Sequence, residues 1–183
     1  MDIIDNSRYI TKIDIKPLFD FCVSLEDEDW EEFTFRQNNF KAHSSTKTVA
    51  AIFPDRSNFP NMKKMTFKHT EQMMTLFDPA IQAATNFYNE KFVVTTAMIV
   101  LLMPDENVEE HSDTHPYFGL THRFHICIHG DYDNMDFLIR GMKVDMNLGD
   151  VIEINNRLPH KVVYRGKKPR LNAIFDLLPA SKL

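Results

Sequence analysis

Five histidines fall between residues 109 and 131, in EEHSDTHPYFGLTHRFHICIHGD, and the rest of the chain holds only three. Imidazole is the commonest metal ligand among side chains. His111 and Asp113 stand one residue apart in HSD, so in an extended segment both project to the same side, a spacing that suits two ligands of one ion. His160, in NNRLPHKVVY, follows a proline-marked turn and offers a third donor. Two imidazoles and a carboxylate on one side of a metal leave its other positions open, as in the facial triad of non-haem Fe(II) oxygenases. Arg170 comes ten residues after His160. Its planar, permanently charged fork suits one end of a dicarboxylate whose other end chelates iron. Each signal also has an ordinary reading: HxD arises by chance, His160 is a lone loop histidine, and Arg170 is a surface arginine in the basic turn RGKKPR.

The elements that must carry these residues are read from periodicity. In THRFHICIH, alternation puts Arg123, His125, Cys127 and His129 on one face and His122, Phe124, Ile126 and Ile128 on the other. In RLNAIFD it puts Arg170, Asn172 and Ile174 opposite Leu171, Ala173 and Phe175. These two runs, with FVVTTAMIVLLM, MDFLIRG, DVIEIN and KVVYRG, give six predicted strands after residue 91, closely spaced and broken by turn glycines. That texture predicts an antiparallel sandwich or barrel rather than βαβ units. Before it, a short helix is predicted within 16–33, ending in a solvated acidic run, then a strand over 46–54 and a helix over 77–92 with Asp78 as N-cap. The segment 107–121 is predicted to be a long loop closing over the ligands. The expectation is one domain over 1–183, with a mixed helical part over 1–91 and a β-barrel core over 92–178.

Composition narrows the function classes. With 183 residues, 43% of them hydrophobic, the chain can bury one sizeable core. A net charge of -5 with dispersed basic residues gives phosphate backbones nothing to bind, so no nucleic acid partner is expected. The longest apolar run, AMIVLLM, is too short to span a bilayer. Cys22 and Cys127 form no CxxC pair, which fits a reducing compartment. A cytoplasmic protein with no membrane association is expected, of undetermined oligomeric state.

Taken together, HSD, THRFHICI, FLIRG, LGDVIEINNRLPHKV and RLNAIFD resemble the aspartyl/asparaginyl β-hydroxylase-like group of Fe(II)- and 2-oxoglutarate-dependent dioxygenases, with a fainter echo in RQNNFKAHSSTKTVAAI. The resemblance implies a mainly β fold with flanking helices, a double-stranded β-helix of the jelly-roll or cupin-like kind. It implies His111, Asp113 and His160 as iron ligands, although some members of the group dispense with the carboxylate. It places Arg170 on 2-oxoglutarate, and Arg123 and His125 on the inward strand facing co-substrate and substrate. With Fe(II), 2-oxoglutarate and O2 the implied reaction is hydroxylation of an unactivated C–H bond in an amino acid, a similar small molecule or a peptidyl residue, with release of succinate and CO2. His115, Arg140 and Arg36 are candidate substrate contacts, and Asn155 and Asn156 candidate supports for the neighbouring His160. His122 is read as a packed histidine and His129 as a strand end, while His43 has no assigned role. Two rivals stand beside this reading. One is a cupin-like metal protein without oxygenase activity (an isomerase, a lyase or a sensor), which has no use for Arg170; the other is an interaction module with a degenerate site.

Overall fold

The computed structural model describes residues 5–182. In chain order the elements are β1 (Ser7–Lys12), α1 (Lys16–Val23), α2 (Asp27–Glu31), α3 (Phe35–Asn39), β2 (Thr46–Asp55), β3 (Lys63–Thr66), α4 (Thr70–Tyr88), β4 (Phe92–Leu102), β5 (Asn107–His111), β6 (His122–His129), β7 (Met135–Ile139), β8 (Met142–Val144), β9 (Asp150–Ile154), β10 (His160–Tyr164) and β11 (Arg170–Pro179). They form a seven-stranded sheet in the order β1-β9-β6-β11-β4-β2-β3 and a four-stranded sheet in the order β5-β10-β7-β8. The pairings are antiparallel. All six strands predicted after residue 91 form. The architecture is that of the double-stranded β-helix, with the sheets not closed into a continuous barrel.

Alternation decides what faces where. From the large sheet, Val49, Ile99, Phe124, Ile126, Ala173 and Phe175 point outward and pack with Leu18 and Phe21 of α1 and Phe77 and Ala84 of α4. Burying side chains of this size stabilises by about 1.5–3 kcal/mol each. The opposite face of the same strands looks toward the small sheet. There Cys127, Ile152 and Leu102 meet Phe137, Ile139, Val162 and Tyr164. The polar members of that inward face, Arg123, His125, Arg170, Asn172 and Asp176, are therefore buried between the sheets, not solvated.

Several expectations are corrected. The helix predicted over 77–92 begins at Thr70 and ends at Tyr88, with Pro79 inside it. Its first turn is fixed by Thr70 Oγ1, which accepts the Phe67 N–H at 2.9 Å and donates to the Ala51 carbonyl at 2.6 Å; Asp78, no longer a cap, accepts from Gln82 Nε2 at 2.6 Å. The strand expected over 46–54 forms as β2, but the N-terminal part also supplies β1 and β3, and all three belong to the large sheet. The segment 107–121 is no free loop: it opens with β5, paired to β10, and later buries Tyr117 completely.

The acidic run is not wholly solvated either. Asp29 is 5% exposed and accepts from Lys68 Nζ at 2.6 Å, with His69 Nε2 at 2.8 Å. The Lys68 bond, the Glu26 backbone and His69 hold its carboxyl well below the usual range. A carboxylate depressed in the folded state stabilises above its unfolded pKa, about 4, and loses that contribution as pH falls toward the folded value. Asp29→Asn should therefore lower the melting temperature at pH 7, and its deficit relative to the parent protein should shrink as melts are taken below about pH 4.

Among the described residues no helix is long and apolar enough to cross a membrane.

Candidate metal and co-substrate site

Strand pairing brings together residues far apart in sequence. β5 and β10 run antiparallel with His111 directly opposite His160, and the two ring centroids lie 4.2 Å apart. His111 Nδ1 is 2.8 Å from the Glu109 carbonyl oxygen, and His160 Nδ1 is 2.8 Å from that of Leu158. A carbonyl only accepts, so in each ring Nδ1 carries a proton, and the neutral tautomer so favoured keeps its lone pair on Nε2, as a metal requires. Burial, reinforced by neighbouring His111, pulls the His160 pKa down to about 4, so this ring is unprotonated at neutral pH.

Asp113 sits beside them. Its backbone N–H donates to the Asn156 carbonyl at 2.9 Å, and its Oδ2 accepts from Asn156 Nδ2 at 2.7 Å and from Arg123 at 2.5 Å. Burial alone would push this carboxyl up; the Arg123 charge, the Asn156 bond and the two histidines outweigh it, and the net shift is downward. Both side-chain bonds fall on Oδ2, and none among the described residues falls on Oδ1. The side chains of His111, His160 and Asp113 do not converge as a ready-made cage; among the described residues no three His, Cys, Asp or Glu side chains do. The donor set nonetheless fits a divalent metal: two imidazoles in the ligating tautomer, and an ionised carboxylate with one oxygen free.

Two roles assigned from sequence change. Arg123 is occupied: Nε and one terminal nitrogen grip both oxygens of Asp176 at 2.7 and 2.8 Å while the other terminal nitrogen holds Asp113. It fixes the Asp113 carboxylate rather than standing free for a co-substrate. Asn156 likewise supports Asp113 and not His160, whose ring is set by the Leu158 carbonyl. Asn155 donates its backbone N–H to the Asn6 carbonyl at 2.9 Å. Supporting hydrogen bonds to metal ligands are typically worth tenfold or more in metal affinity, so on the expectation that Asp113 is such a ligand Asn156→Ala should weaken Co(II) or Ni(II) binding by about tenfold in a competition titration with a chromogenic chelator.

Behind the histidines lies a small cavity of about 40 Å³ lined by His111, His160, His125, Arg170, Asn172 and Arg36, among others. The turn before β11 delivers Arg170 to it. Tyr164 donates its hydroxyl to the Lys168 carbonyl at 2.5 Å and accepts the Asp131 N–H at 3.0 Å. The chain crosses that ring at Gly166, where a Cβ would fall 2.4 Å from Tyr164, so only glycine is accommodated. Arg170 is 4% exposed and donates to Asn172 Oδ1 at 3.1 Å, yet its Nε has no partner and no carboxylate pairs with it among the described residues. Asn172 Nδ2 is 3.1 Å from His125 Nδ1. Since the amide nitrogen donates, His125 carries its proton on Nε2. Burial and the Arg170 charge push its pKa well below the usual histidine value, so it remains a neutral donor.

The remaining candidates divide. His115 lies at the rim of the outer cleft, its Nδ1 accepting the Tyr117 N–H at 3.1 Å. Arg36 is buried where cleft and inner cavity meet, and donates to His43 Nε2 at 3.2 Å. Arg140 is removed from the set: it is exposed in the β7–β8 turn, with φ of 51°, and lines neither cavity. His122 is the packed histidine expected, its Nδ1 2.6 Å from Glu153 Oε1. His129 packs on Phe19 with ring centroids 4.8 Å apart. Sequence reasoning missed His43, whose ring stands edge-on to His111 at 4.6 Å, and Asp176, the buried counter-charge of Arg123. Asp176 carried a usable signal, since it continues the Arg170, Asn172, Ile174 alternation.

Two antiparallel sheets arranged as a jelly-roll define a fold class, and comparison with known proteins agrees with that fold. The family described as "Aspartyl/Asparaginyl beta-hydroxylase" matches residues 11–179, and the chain belongs to it. No curated protein matches. Among solved structures, AviO1 from Streptomyces viridochromogenes aligns with a TM-score of 0.61 at 14% identity, over 98% of this chain and 92% of that one. The viral collagen prolyl hydroxylase of Paramecium bursaria Chlorella virus-1, solved as a 2OG complex, aligns at 0.56 and 8% identity, over 95% and 96%. A 2OG-Fe(II) oxygenase family oxidoreductase from Burkholderia pseudomallei aligns at 0.56 and 13%, over 73% of this chain and 66% of that one. This chain thus spans just under two thirds of that oxidoreductase.

Proposed function

We propose that this protein is an Fe(II)- and 2-oxoglutarate-dependent dioxygenase that hydroxylates an unactivated C–H bond of an amino acid, a related small molecule or a peptidyl residue, with release of succinate and CO2. The observation that carries the reading is the pair of facing imidazoles, each locked through Nδ1 to a backbone carbonyl. In this reading His111 and His160 hold iron through Nε2 and Asp113 through Oδ1. Iron so bound supplies oxygen activation coupled to decarboxylation of 2-oxoglutarate.

The chain's own residues supply position and charge. Arg170 takes the far carboxylate of 2-oxoglutarate, a role supported by its orphaned Nε and by the lack of a paired carboxylate among the described residues. His125 adds a neutral Nε2–H beside it. Arg123 keeps Asp113 ionised and aimed. The inner cavity and the outer cleft share His43, His111, Arg36 and Arg123, so a co-substrate anchored on Arg170 reaches the metal where the two spaces join. The 2OG complex of the viral prolyl hydroxylase, which has a similar fold, agrees with this co-substrate.

The test is anaerobic addition of Fe(II) and 2-oxoglutarate to the metal-free protein. A weak visible charge-transfer band is expected, absent in His160→Ala. Stoichiometric metal binding with no band would overturn the reading in favour of the cupin-like rival, and no metal binding would favour a degenerate site.

A further inference from the structure

The outer cleft holds about 1240 Å³, beyond the 300–1000 Å³ range usual for drug-sized ligands. A single free amino acid would leave most of it empty. One wall is aromatic: Phe33, Phe35, Phe53 and Phe67 are linked by ring contacts, with centroids 4.9 Å apart for Phe33 and Phe53 and 5.1 Å for Phe33 and Phe67. Phe35, Phe40 and Met65 continue it toward the opening and stay 47%, 46% and 43% exposed. Apolar side chains of this size, clustered and left half open beside a polar site, are what an apolar ligand would cover.

Against one end of this wall stands Arg56. Its guanidinium lies 4.8 Å from the Phe118 ring centroid and 5.3 Å from those of Phe53 and Tyr117. Arg123 is also 4.8 Å from Phe118, but its charge is matched by Asp113 and Asp176. The Arg56 side chain makes no hydrogen bond and no ion pair among the described residues; only its backbone carbonyl is engaged, accepting the Phe59 N–H at 3.2 Å. The acids near the cleft do not serve it: Glu109 pairs with Lys41 at 3.5 Å, Asp55 accepts the Ser57 N–H at 3.0 Å, and Glu32 accepts the Lys68 N–H at 3.1 Å. A partly buried guanidinium held by ring faces, with its donors unspent, is a receptor for an anion.

We infer that the substrate accepted here is a carboxylate bearing a large apolar or aromatic body, its carboxylate on Arg56 and its body along the Phe33, Phe35 and Phe53 wall. This deepens the dioxygenase reading and rests on it only for the claim that the bound molecule is the substrate. It makes Arg56 and Phe35 specificity-determining residues and disfavours small free amino acids.

The test uses 2-naphthylacetate, its neutral amide and L-aspartate as probes, titrated calorimetrically into the full chain, alongside 2-oxoglutarate titrated into the Ni(II)-loaded protein. The acid should bind more tightly than the amide, and L-aspartate least. Arg56→Gln should weaken the acid by about tenfold and leave the amide unchanged, as loss of one charged hydrogen-bonding group does. Arg56→Lys should restore part of the loss, and Phe35→Ala should weaken acid and amide alike. Equal binding of acid and amide, indifference to Arg56→Gln, or tighter binding of L-aspartate would overturn the inference. If 2-oxoglutarate fails to bind while the Arg56 dependence holds, the dioxygenase reading falls and the anion site stands. If 2-oxoglutarate binds and the naphthyl acid does not, the reverse follows.

Discussion

Arg170→Met abolishes 2-oxoglutarate binding while leaving the metal in place: this is the expected result in a calorimetric titration of the Ni(II)-loaded protein, with a loss of at least about 30-fold. The size follows from burial. Arg170 is 4% exposed, and apart from the bond to Asn172 its guanidinium has no acceptor among the described residues. A charged, hydrogen-bonded pair formed in such a place typically contributes about 2–5 kcal/mol, because removing one partner strands the other. Methionine fills similar space without charge. The ligand-free variant should therefore melt no lower than the parent protein, since a buried uncompensated charge has been deleted. Only the thermal shift on adding 2-oxoglutarate should vanish. Unchanged affinity would show that the inner cavity does not hold the co-substrate; lost metal would show that Arg170 supports the histidines instead.

What could be read from sequence follows from how strongly each element is patterned. β6 and β11 were legible because each alternates polar and apolar residues, and that alternation survives although both faces are buried. Alternation identified Arg123, His125 and Arg170 as inward, but not what they meet inside. The Arg123–Asp176 pair depends on register: the two residues are direct partners across β6 and β11. β5 reads as loop in the sequence because NVEEH has a single apolar residue and carries adjacent acids, Glu109 and Glu110. Its strand character comes from pairing with β10, and that pairing puts His111 opposite His160. β1 and β3 were missed for the same reason; both lie at edges of the large sheet, and all four residues of β3 are exposed. Edge strands take their structure from a neighbour's backbone, so they leave little trace in hydrophobic periodicity. Arg56 and His43 lie in the half of the chain where the candidate ligands are absent, and only folding brings them to the cleft.

The pair that sequence did not connect should also be the one on which the fold depends most. Asp176 is fully buried and receives two bonds from Arg123 and one from the Tyr117 hydroxyl at 3.1 Å. Its charge helps hold the Arg123 guanidinium protonated against the desolvation of its burial. Asp176→Asn keeps the shape but removes the charge and turns an amide N–H toward donors it cannot satisfy. Breaking one side of a buried ion pair costs about 3–5 kcal/mol. In a protein of this size that lowers the melting temperature by roughly 6–20 °C, and urea unfolding would read the same loss directly. The site should suffer with the fold, since Arg123 also aims Asp113, so metal affinity should fall in the material that remains folded. Replacing both partners, Arg123→Met with Asp176→Leu, should recover part of the stability, because well-packed apolar residues can replace a buried ion pair without penalty. It should not recover metal affinity, because Asp113 then keeps only Asn156. A loss below about 1 kcal/mol for Asp176→Asn would place the pair among weakly coupled surface ion pairs and contradict its burial.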